Sequence, residues 1–132
     1  MSWQYNDAPM SEIPEGSIGF VYLIVNIKTG RKYIGKKLFW FAKRKKLKGK
    51  TKRFKEVSDW LSYYGSNDEL KDDVKKLGPD MFHREILYLC KSKSEMNYLE
   101  AKEQFIRGVL ETDLYYNSWI SCRVTKAHLK KK

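Results

Sequence analysis

The feature that most constrains this chain is an almost unbroken apolar run from Ile18 to Ile27, "IGFVYLIVNI". The run is rich in β-branched and aromatic residues, which is typical of a strand that is covered on both faces. The next residues, "KTGR", have the composition of a tight turn, and "KYIGKK" then returns as a second strand. The sequence therefore predicts a central antiparallel hairpin around which the other elements pack.

The segment after the hairpin predicts a short helix and then a more strongly marked one. Phe54, Val57, Leu61 and Tyr64 fall at helical spacing, which indicates a short amphipathic helix. Residues 66–69, "SNDE", have the form of a capping box, in which Ser is followed three residues later by Glu. The buried stripe and the stop of this second helix consist of Leu70, Val74, Leu77 and Gly78-Pro79.

A third strand and a last helix complete the predicted fold. "FHREILYL" at 82–89 is interpreted as a strand, and a second capping box at 92–95 precedes a helix that reaches about Leu110. We expect Leu99, Ile106 and Leu110 to face inward, and "YYNSWISC" to return as extended chain. This order predicts an α/β (α+β) fold with a small, mainly antiparallel three-stranded sheet flanked by helices.

At 132 residues the chain is long enough for one domain with a modest core. We assign that domain to residues 18–122, with a basic insertion around 43–55 that is interpreted as a charged loop able to order on DNA. Residues 1–17 hold two of the three prolines and are expected to form a flexible or loosely docked arm. Residues 123–132 are expected to form a basic tail.

The charge of the chain predicts what kind of partner it has. Lys and Arg number 27 against 16 acidic residues, which gives a net charge of +11. A charge of this sign favours nucleic acid first and an anionic membrane surface second. No segment approaches the roughly 18 consecutive apolar residues of a membrane-spanning helix, and no signal-peptide pattern is visible. We therefore expect a cytoplasmic protein without a membrane partner.

Two triplets in the hairpin and two later segments carry a resemblance to a known family. "FVY" at 20–22 is followed by "YIG" at 33–35, so that two tyrosines lie eleven residues apart. "YYGSNDELKDDVKKLGPDMFHREIL" and then "EAKEQFI" with "YYN" follow in the same order. With these motifs, nearly all of residues 18–120 resembles the GIY-YIG nuclease family, in particular its small phage and homing-endonuclease members.

The resemblance implies a metal-dependent DNA endonuclease and gives the two tyrosines a role. Tyr22 is expected to act as the general base or to position the attacking water, and Tyr33 to support it or contact the phosphate. A phenol is a poor base at its ordinary pKa of about 10, but neighbouring Lys, Arg and a metal ion lower that pKa. The alternative is that both are core tyrosines with hydroxyls satisfied at the surface.

The resemblance also implies an arginine that binds phosphate and a glutamate that holds one Mg²⁺ or Mn²⁺ ion. Arg44 lies near the family's usual distance after the second tyrosine, and Arg53 is the alternative. Glu100 and Glu103 both lie on the last predicted helix. Glu103 lies nearer the apolar stripe, and its distance from Asn117 is closer to the family's usual spacing. Glu100 opens the "EAK" run. Both stay candidates for the catalytic and metal-binding carboxylate.

The expected partner is DNA in double-stranded form. The residues expected to contact it are Gly35, Lys36, Lys43, Lys45, Arg53, Tyr64, Ser66 and Asn117. Gly35 either lets the backbone approach the substrate or relieves crowding at a strand end, and the alternative is a plain turn glycine. Asn117 is expected to make a structural or phosphate-side hydrogen bond.

Two departures from the family pattern keep other functions open. Phe20 and Val21 stand where the family has Gly and Ile, and the histidine that often follows the family's arginine is absent. One alternative is therefore a catalytically inactive nucleic-acid-binding protein on the same fold. The other is a structural basic protein that binds RNA.

Overall fold

A computed structural model describes residues 2–121, apart from the side chains of residues 43 and 45–47. In chain order the elements are β1 (Trp3–Tyr5), β2 (Ala8–Met10), β3 (Gly19–Asn26), β4 (Lys32–Leu38), β5 (Trp40–Leu47), β6 (Lys50–Val57), α1 (Asp68–Leu77), β7 (Phe82–Cys90) and α2 (Lys93–Ile106). The predicted hairpin is the antiparallel pair β3–β4. Side chains of β3 are buried on both faces of the sheet, as its continuous apolar sequence predicts.

The main sheet has five strands in the order β2-β1-β7-β3-β4. β7 is the predicted third strand and pairs antiparallel with β3. β1 pairs parallel with β7, and the other pairs are antiparallel. The predicted class, mixed α/β with a mainly antiparallel sheet, is confirmed, but the sheet has five strands rather than three. β4 lies at one edge of this sheet.

The expectation of a loosely docked arm over residues 1–17 is wrong for Trp3–Met10, which supplies the two additional strands. Trp3 is buried, and its indole N–H donates a hydrogen bond of 2.6 Å to the carbonyl oxygen of Trp60. The side chain also packs edge-on against the ring of Phe20. Strands of three residues are too short to show a periodic pattern, so these segments carry no strand signal.

The basic insertion is a two-stranded ribbon rather than a loop. β5 and β6 pair antiparallel from Trp40–Val57 to Leu47–Lys50. Lys48 and Gly49 close the ribbon with φ values of 48° and 78°, the positive angles that a two-residue hairpin turn requires. The short helix predicted from Phe54 is therefore wrong. Its apolar residues at 54 and 57 belong to β6, and only Trp60–Ser62 forms a single 3₁₀ turn.

α1 begins one residue later than its capping box predicts. The cap is Asn67, whose side-chain oxygen accepts a hydrogen bond of 2.9 Å from the N–H of Leu70. Ser66, the predicted cap, is thereby free to make a different contact. The predicted stop at Gly78 is confirmed, since Gly78 is the C-cap and has a φ of 90°.

α2 has the predicted cap but a different buried face. The Ser92 hydroxyl accepts a hydrogen bond of 3.1 Å from the N–H of Glu95. The helix ends at Ile106, whose side chain is 69% exposed, and Leu110 lies beyond the helix and is 50% exposed. The inward residues are Met96, Ala101 and Gln104, with Leu99 partly buried beside them. The expectation agrees with the partly buried Leu99 but is wrong for Ile106, which is exposed at the helix end, and for Leu110, which lies past it.

The two helices cover opposite faces of the sheet. On one face, Leu70 of α1 joins a largely aromatic cluster that includes Tyr22 and Trp60. On the other face, Met96 of α2 packs with Val21, Ile34, Cys90 and Val109. No helix in the described part of the chain is both long and apolar enough to cross a membrane.

The chain after α2 returns along the outer edge of β4. The N–H of Lys32 donates to the carbonyl oxygen of Leu114 at 2.8 Å, and the N–H of Tyr116 donates to the carbonyl oxygen of Lys32 at 2.7 Å. The "YYN" segment is thereby fixed beside the edge strand of the sheet. Side chains from both faces can meet around this edge.

Candidate active site

The two hairpin tyrosines lie on the same face of the sheet. Tyr22 is opposite Gly35, and Tyr33 is two residues before Gly35 on β4. The tyrosines are therefore diagonal neighbours, a relation that brings aromatic side chains within reach of each other. Their ring centroids are 6.1 Å apart. The structure thus places both phenols in one cluster.

Gly35 provides the space for this arrangement. A Cβ atom at position 35 would overlap the Tyr22 hydroxyl and lie 2.9 Å from Cε2 of Tyr33. Gly35 is not among the glycines with a positive φ, so the glycine is required for space and not for a turn. Of the roles expected for Gly35, relief of crowding is the one that these contacts support.

Tyr22 lies deeper than the expected role as general base requires. Its side chain is fully buried, and its ring centroid lies 6.0 Å from that of Tyr63. Burial raises the pKa of the Tyr22 phenol well above its usual value of 10, and the charges that Tyr63 and Tyr33 would carry as phenolates raise it further. In the free protein, burial therefore keeps the pKa of the Tyr22 phenol raised.

Tyr33 is the tyrosine that faces the surface. Its hydroxyl lies 3.1 Å from the Ser66 Oγ, and the side chain lines a pocket of about 300 Å³ at the edge of β4. Burial raises the pKa of the Tyr33 phenol, and the hydrogen bond with Ser66 offsets part of that rise. The other lining residues used below are Lys36, Ser66, Glu100, Gln104, Asn117 and Trp119.

Glu100 brings a mostly buried carboxylate to the same pocket. Its side chain is 13% exposed, and its Oε1 lies 3.6 Å from the Nζ of Lys36. Lys36 also donates a hydrogen bond of 2.5 Å to the Asn97 side chain. Burial raises the pKa of Glu100 above its usual value of 4.5, although the Lys36 ammonium lowers it in part. Its negative charge also helps to raise the pKa of both Tyr22 and Tyr33.

Glu103 is engaged elsewhere, which separates the two candidate carboxylates. The Tyr88 hydroxyl donates a hydrogen bond of 2.6 Å to its Oε1, and the Nε of Arg107 donates one of 3.1 Å to its Oε2. Both oxygens therefore have partners outside the pocket, and Glu103 does not line it. The sequence left both carboxylates as candidates, and these contacts favour Glu100 for the pocket.

Neither candidate arginine lies in the pocket. Arg44 and Arg53 are exposed, directly opposite each other on the β5–β6 ribbon, and neither lines the pocket with Tyr33. Lys36 is the cation that does. Lys43 and Lys45 belong to the same ribbon by their backbone, and their side chains lie outside what the structure describes.

Asn117 and Gln104 hold the outer edge of β4 beside the pocket. The Asn117 side chain accepts a hydrogen bond of 3.1 Å from the N–H of Ile34 and donates one of 2.9 Å to the Ile34 carbonyl oxygen. Gln104 donates to the same carbonyl at 3.1 Å. Asn117 thus substitutes for a neighbouring strand at this position. The structural role expected for Asn117 matches these contacts.

Tyr64 packs away from the pocket. Its ring lies 4.1 Å from the Arg84 guanidinium, which also stacks over the ring of Trp3. Arg84 donates hydrogen bonds of 3.0 and 2.9 Å to the carbonyl oxygens of Leu61 and Tyr63. This buried arginine therefore fixes the segment that carries Tyr63 against Tyr22.

Residues 3–120 match a family model described as "Putative endonuclease segE, GIY-YIG domain". The chain belongs to the GIY-YIG nuclease family. No curated protein and no solved structure matches it. The match confirms the resemblance and begins at Trp3, so it includes the hairpin formed by β1 and β2. The family's description as an endonuclease indicates a nucleic acid as substrate.

The departures from the GIY-YIG pattern have structural reasons in the aromatic core. Phe20, in place of the family's Gly, packs against the rings of Trp3 and Phe39 at centroid distances of 4.9 and 5.0 Å. Val21, in place of Ile, is buried on the α2 side.

The donor set fits a divalent ion that is shared with substrate. No group of three or more His, Cys, Asp or Glu side chains that could hold a metal ion occurs within residues 2–121. Mg²⁺ is commonly held by one or two carboxylates and takes water and substrate phosphates as its other ligands. The buried Glu100 carboxylate, which has one cation 3.6 Å away, suits such an ion.

Three residues of the site were not identified as such from the sequence. Gln104 lies one helical turn after Glu100, so helical spacing places both residues on the same face of α2. That spacing is the signal by which Gln104 could have been found. Tyr63 contacts Tyr22 through long-range packing, which no local pattern shows. Trp119 is 71% exposed and lines the pocket. No local pattern marks it.

Proposed function

We propose that this GIY-YIG protein is a metal-dependent DNA endonuclease that hydrolyses phosphodiester bonds at the pocket beside β4. The observation that carries the proposal is the convergence of three side chains from two separate parts of the chain. The Tyr33 phenol and the Lys36 ammonium come from β4, and the Glu100 carboxylate comes from α2. A base, a phosphate-binding cation and a metal-binding carboxylate are the groups that this chemistry needs.

The pocket residues divide the work of the reaction. Glu100 would hold the Mg²⁺ or Mn²⁺ ion, which supplies Lewis-acid polarisation of the phosphate when bound. Lys36 donates to a non-bridging phosphate oxygen on which negative charge develops. Tyr33 would orient the attacking water and, as the phenolate, accept its proton while the bond from phosphorus to the leaving sugar oxygen breaks. The pKa of Tyr33 is raised in the free protein, so the phenolate needs the positive charge of Lys36 and of the bound ion.

Tyr22 is a positioning residue in this proposal. Its hydroxyl is buried next to Gly35, and its ring supports both Tyr33 and Tyr63. The role of general base therefore passes from Tyr22 to Tyr33, and Tyr22 keeps the second phenol at the correct depth. Lys36 takes the place in the pocket that the resemblance assigned to Arg44 or Arg53.

The proposed substrate is double-stranded DNA in the cytoplasm of the cell that contains the protein. Ser66 and Asn67 bring the N-terminal end of α1 to the pocket, where backbone N–H groups favour a phosphate. Lys43, Lys45 and Arg53 are proposed as further DNA contacts on the ribbon. Asn117 supports the site by holding β4, and Tyr64 by packing on Arg84. Neither is proposed to contact DNA directly.

One observation favours the alternative of an inactive DNA-binding protein on this fold. Tyr22 is buried, and the candidate arginines of the described chain lie outside the pocket. The two functions differ in a plasmid-nicking assay with Mg²⁺, Mn²⁺ or EDTA. The proposal expects nicking of supercoiled DNA that requires the ion and falls at least about a hundredfold in Tyr33→Phe.

The matched control is Tyr5→Phe, which removes a phenolic hydroxyl from β1, near the other edge of the sheet. Its nicking rate should equal that of the unmodified protein. Salt-sensitive DNA binding without nicking under any metal condition supports the inactive alternative. Nicking that Tyr33→Phe leaves unchanged removes the assigned base.

A further inference from the structure

We propose that the β5–β6 ribbon enters the major groove of B-form DNA and reads base edges with Arg44 and Arg53. Groove entry itself does not depend on catalysis. The additional consequence, that the ribbon selects where the pocket cuts, rests on the proposed function. The proposed partner of the ribbon surface is a DNA duplex.

At its base the ribbon contacts the domain, where Trp40 packs on the core and Ala42 and Lys55 line a pocket beside Ser92. Beyond that base, the described side chains of the ribbon are exposed. All eight residues of β6 are exposed, although successive side chains of a strand point to opposite faces. A folded domain rarely leaves a strand uncovered on both faces unless a partner covers it, and an isolated two-stranded hairpin is marginally stable in water. The ribbon therefore has the form of an element that binds something else.

The charge of the ribbon identifies the partner as a polyanion. Residues 40–57 contain nine Lys or Arg and one acidic residue, Glu56, so their net charge is +8 of the +11 carried by the whole chain. Positive charge that is concentrated on one projecting element attracts nucleic acid.

Arg44 and Arg53 point to a specific ligand on one face of the ribbon. They are directly opposite each other across the two strands, where like charges are destabilising. Neither forms an ion pair or hydrogen bond with another described residue. Ala42 and Lys55 form the next pair on the same face, so one small side chain stands beside the two guanidinium groups. An acceptor bound between the arginines removes their repulsion.

The size of the ribbon suits the major groove. A two-stranded ribbon of eight-residue strands is about 27 Å long, and the major groove is about 12 Å wide and admits such a ribbon. Arginine pairs bidentately with the O6 and N7 atoms of guanine there. The major groove of duplex RNA is too deep and narrow for side chains to read. The ribbon is therefore expected to prefer duplex DNA over duplex RNA.

The ribbon is anchored beside the strand that carries the pocket. β4 ends at Leu38 and β5 begins at Trp40, with the buried Phe39 between them. At the other end of the ribbon, the N–H of Ser58 donates to the Phe39 carbonyl at 2.8 Å, and the Ser58 hydroxyl donates to the Leu38 carbonyl at 2.6 Å. Both strands of the ribbon thus start from one fixed point near Lys36.

Dimethyl sulfate footprinting tests the groove directly, because the reagent methylates guanine N7 in the major groove and adenine N3 in the minor groove. Preferred duplexes are first selected from random sequences by repeated capture with the full Glu100→Gln protein, which needs no cleavage. We expect protection of guanine N7 and none of adenine N3. In Arg44→Ala/Arg53→Ala, that protection should disappear and the affinity for the selected duplex should fall about tenfold or more.

The control Lys75→Ala/Lys76→Ala removes two exposed charges from the last turn of α1 and should keep the footprint. Protection of adenine N3 instead of guanine N7 overturns the inference. The inference also fails if the selection enriches no sequence or if duplex RNA competes equally. It fails as well if the arginine variant loses the same factor on selected and random DNA.

Failure of this inference and failure of the proposed function give different results. If the protein nicks DNA but the arginine variant cuts the same positions with the same preference, the ribbon does not select the cutting site. If no preparation nicks DNA, the endonuclease proposal fails, and the footprint still decides whether the ribbon lies in the groove.

Discussion

The pocket and the ribbon place polar groups in opposite physical surroundings. In the pocket, Glu100 and Tyr33 are largely buried and have a few fixed neighbours, and burial raises the pKa of both. On the ribbon, Arg44 and Arg53 are exposed and have no described partner. Buried, preorganised groups suit the stabilisation of charge in a reaction. Exposed cations suit binding to a phosphate backbone by release of counterions.

Mutations in the two regions should therefore have different effects on the reaction. Changes in the pocket should lower kcat and leave DNA affinity nearly intact. Changes on the ribbon should raise KM and leave kcat nearly intact. The predictions below test that separation, from the largest expected effect to the smallest.

The largest effect is expected for Glu100→Gln. The change keeps the size of the side chain and removes the charge that would hold the metal ion, so nicking should fall at least about a thousandfold. Burial raises the pKa of Glu100, which means that the ionised carboxylate opposes folding above about pH 4.5. The free energy of unfolding at pH 7 should therefore stay the same or increase. Nicking kinetics and urea denaturation measure the two outcomes.

Glu103→Gln is the matched control on the same helix. It removes the charge that accepts hydrogen bonds from Tyr88 and Arg107, so it should lower the free energy of unfolding by about 1–2 kcal/mol. Nicking should stay within about threefold of the unmodified rate, because Glu103 lies outside the pocket. If Glu103→Gln abolishes nicking and Glu100→Gln does not, the assignment of the metal carboxylate is reversed.

Deletion of the outer ribbon is expected to give the next largest effect. Residues 43–54 are replaced by Asn-Gly, which joins the paired residues Ala42 and Lys55 through a two-residue hairpin turn. The affinity for duplex DNA should fall about a hundredfold or more, with a shallower dependence on salt. The free energy of unfolding should change by less than about 1 kcal/mol, because the exposed strand β6 contributes little to the core.

Filter binding at several salt concentrations and nicking at saturating DNA measure this prediction. The separation of the two regions requires kcat to stay within a few-fold of the unmodified value. A thousandfold loss of kcat in the deletion would mean that the ribbon contributes a group to the reaction itself. Arg44 or Arg53 would then regain the role that the resemblance assigned to it.

The third effect concerns the rigidity of the pocket. In Gly35→Ala, the new Cβ overlaps the Tyr22 hydroxyl inside a packed core, so we expect a loss of about 1–3 kcal/mol in the free energy of unfolding. Thr51→Val on the exposed ribbon should change it by less than about 0.5 kcal/mol. The double variant Gly35→Ala/Tyr22→Phe removes the overlapping hydroxyl and should recover part of the loss. Purely additive losses would show that the two positions do not contact each other.

The sequence predicted the elements that have strong local patterns. The central hairpin, β7 and the N-cap of α2 follow from apolar runs and capping residues, and the family motifs located both tyrosines. β1 and β2 could not be predicted because three residues show no period, and the burial of Trp3 depends on distant partners. The ribbon was missed because its strands are dominated by charge, and solvent exposure on both faces removes the alternation that marks a strand.

The site shows the same division between local and long-range information. The sequence named both tyrosines and both glutamates, but it expected Tyr22 as the base and did not separate Glu100 from Glu103, because depth and helix rotation are set by packing. Whether a tyrosine hydroxyl is at the surface depends on the pairing of Tyr22 with Gly35 across two strands. Which glutamate faces the pocket depends on how α2 is rotated against the sheet, and Met96, Ala101 and Gln104 are its buried residues.

The smallest effect is a pH dependence that should belong to the pocket alone. The pKa of Tyr33 is raised above 10, so only a small fraction is ionised at neutral pH, and kcat/KM should increase about tenfold per pH unit from pH 6 to pH 9 without a plateau. Glu100 must be ionised to hold the metal ion, and its pKa is raised above the usual 4.5. The value of kcat/KM should therefore fall more steeply at the acid end of this range. DNA affinity should be nearly constant between pH 6 and 9, because lysine and arginine stay charged there.

Nicking at low DNA concentration measures kcat/KM, and filter binding measures affinity, across the same buffers. A plateau near pH 7 would contradict a base with a raised pKa, and a parallel rise in affinity would mean that the titrating group acts in binding.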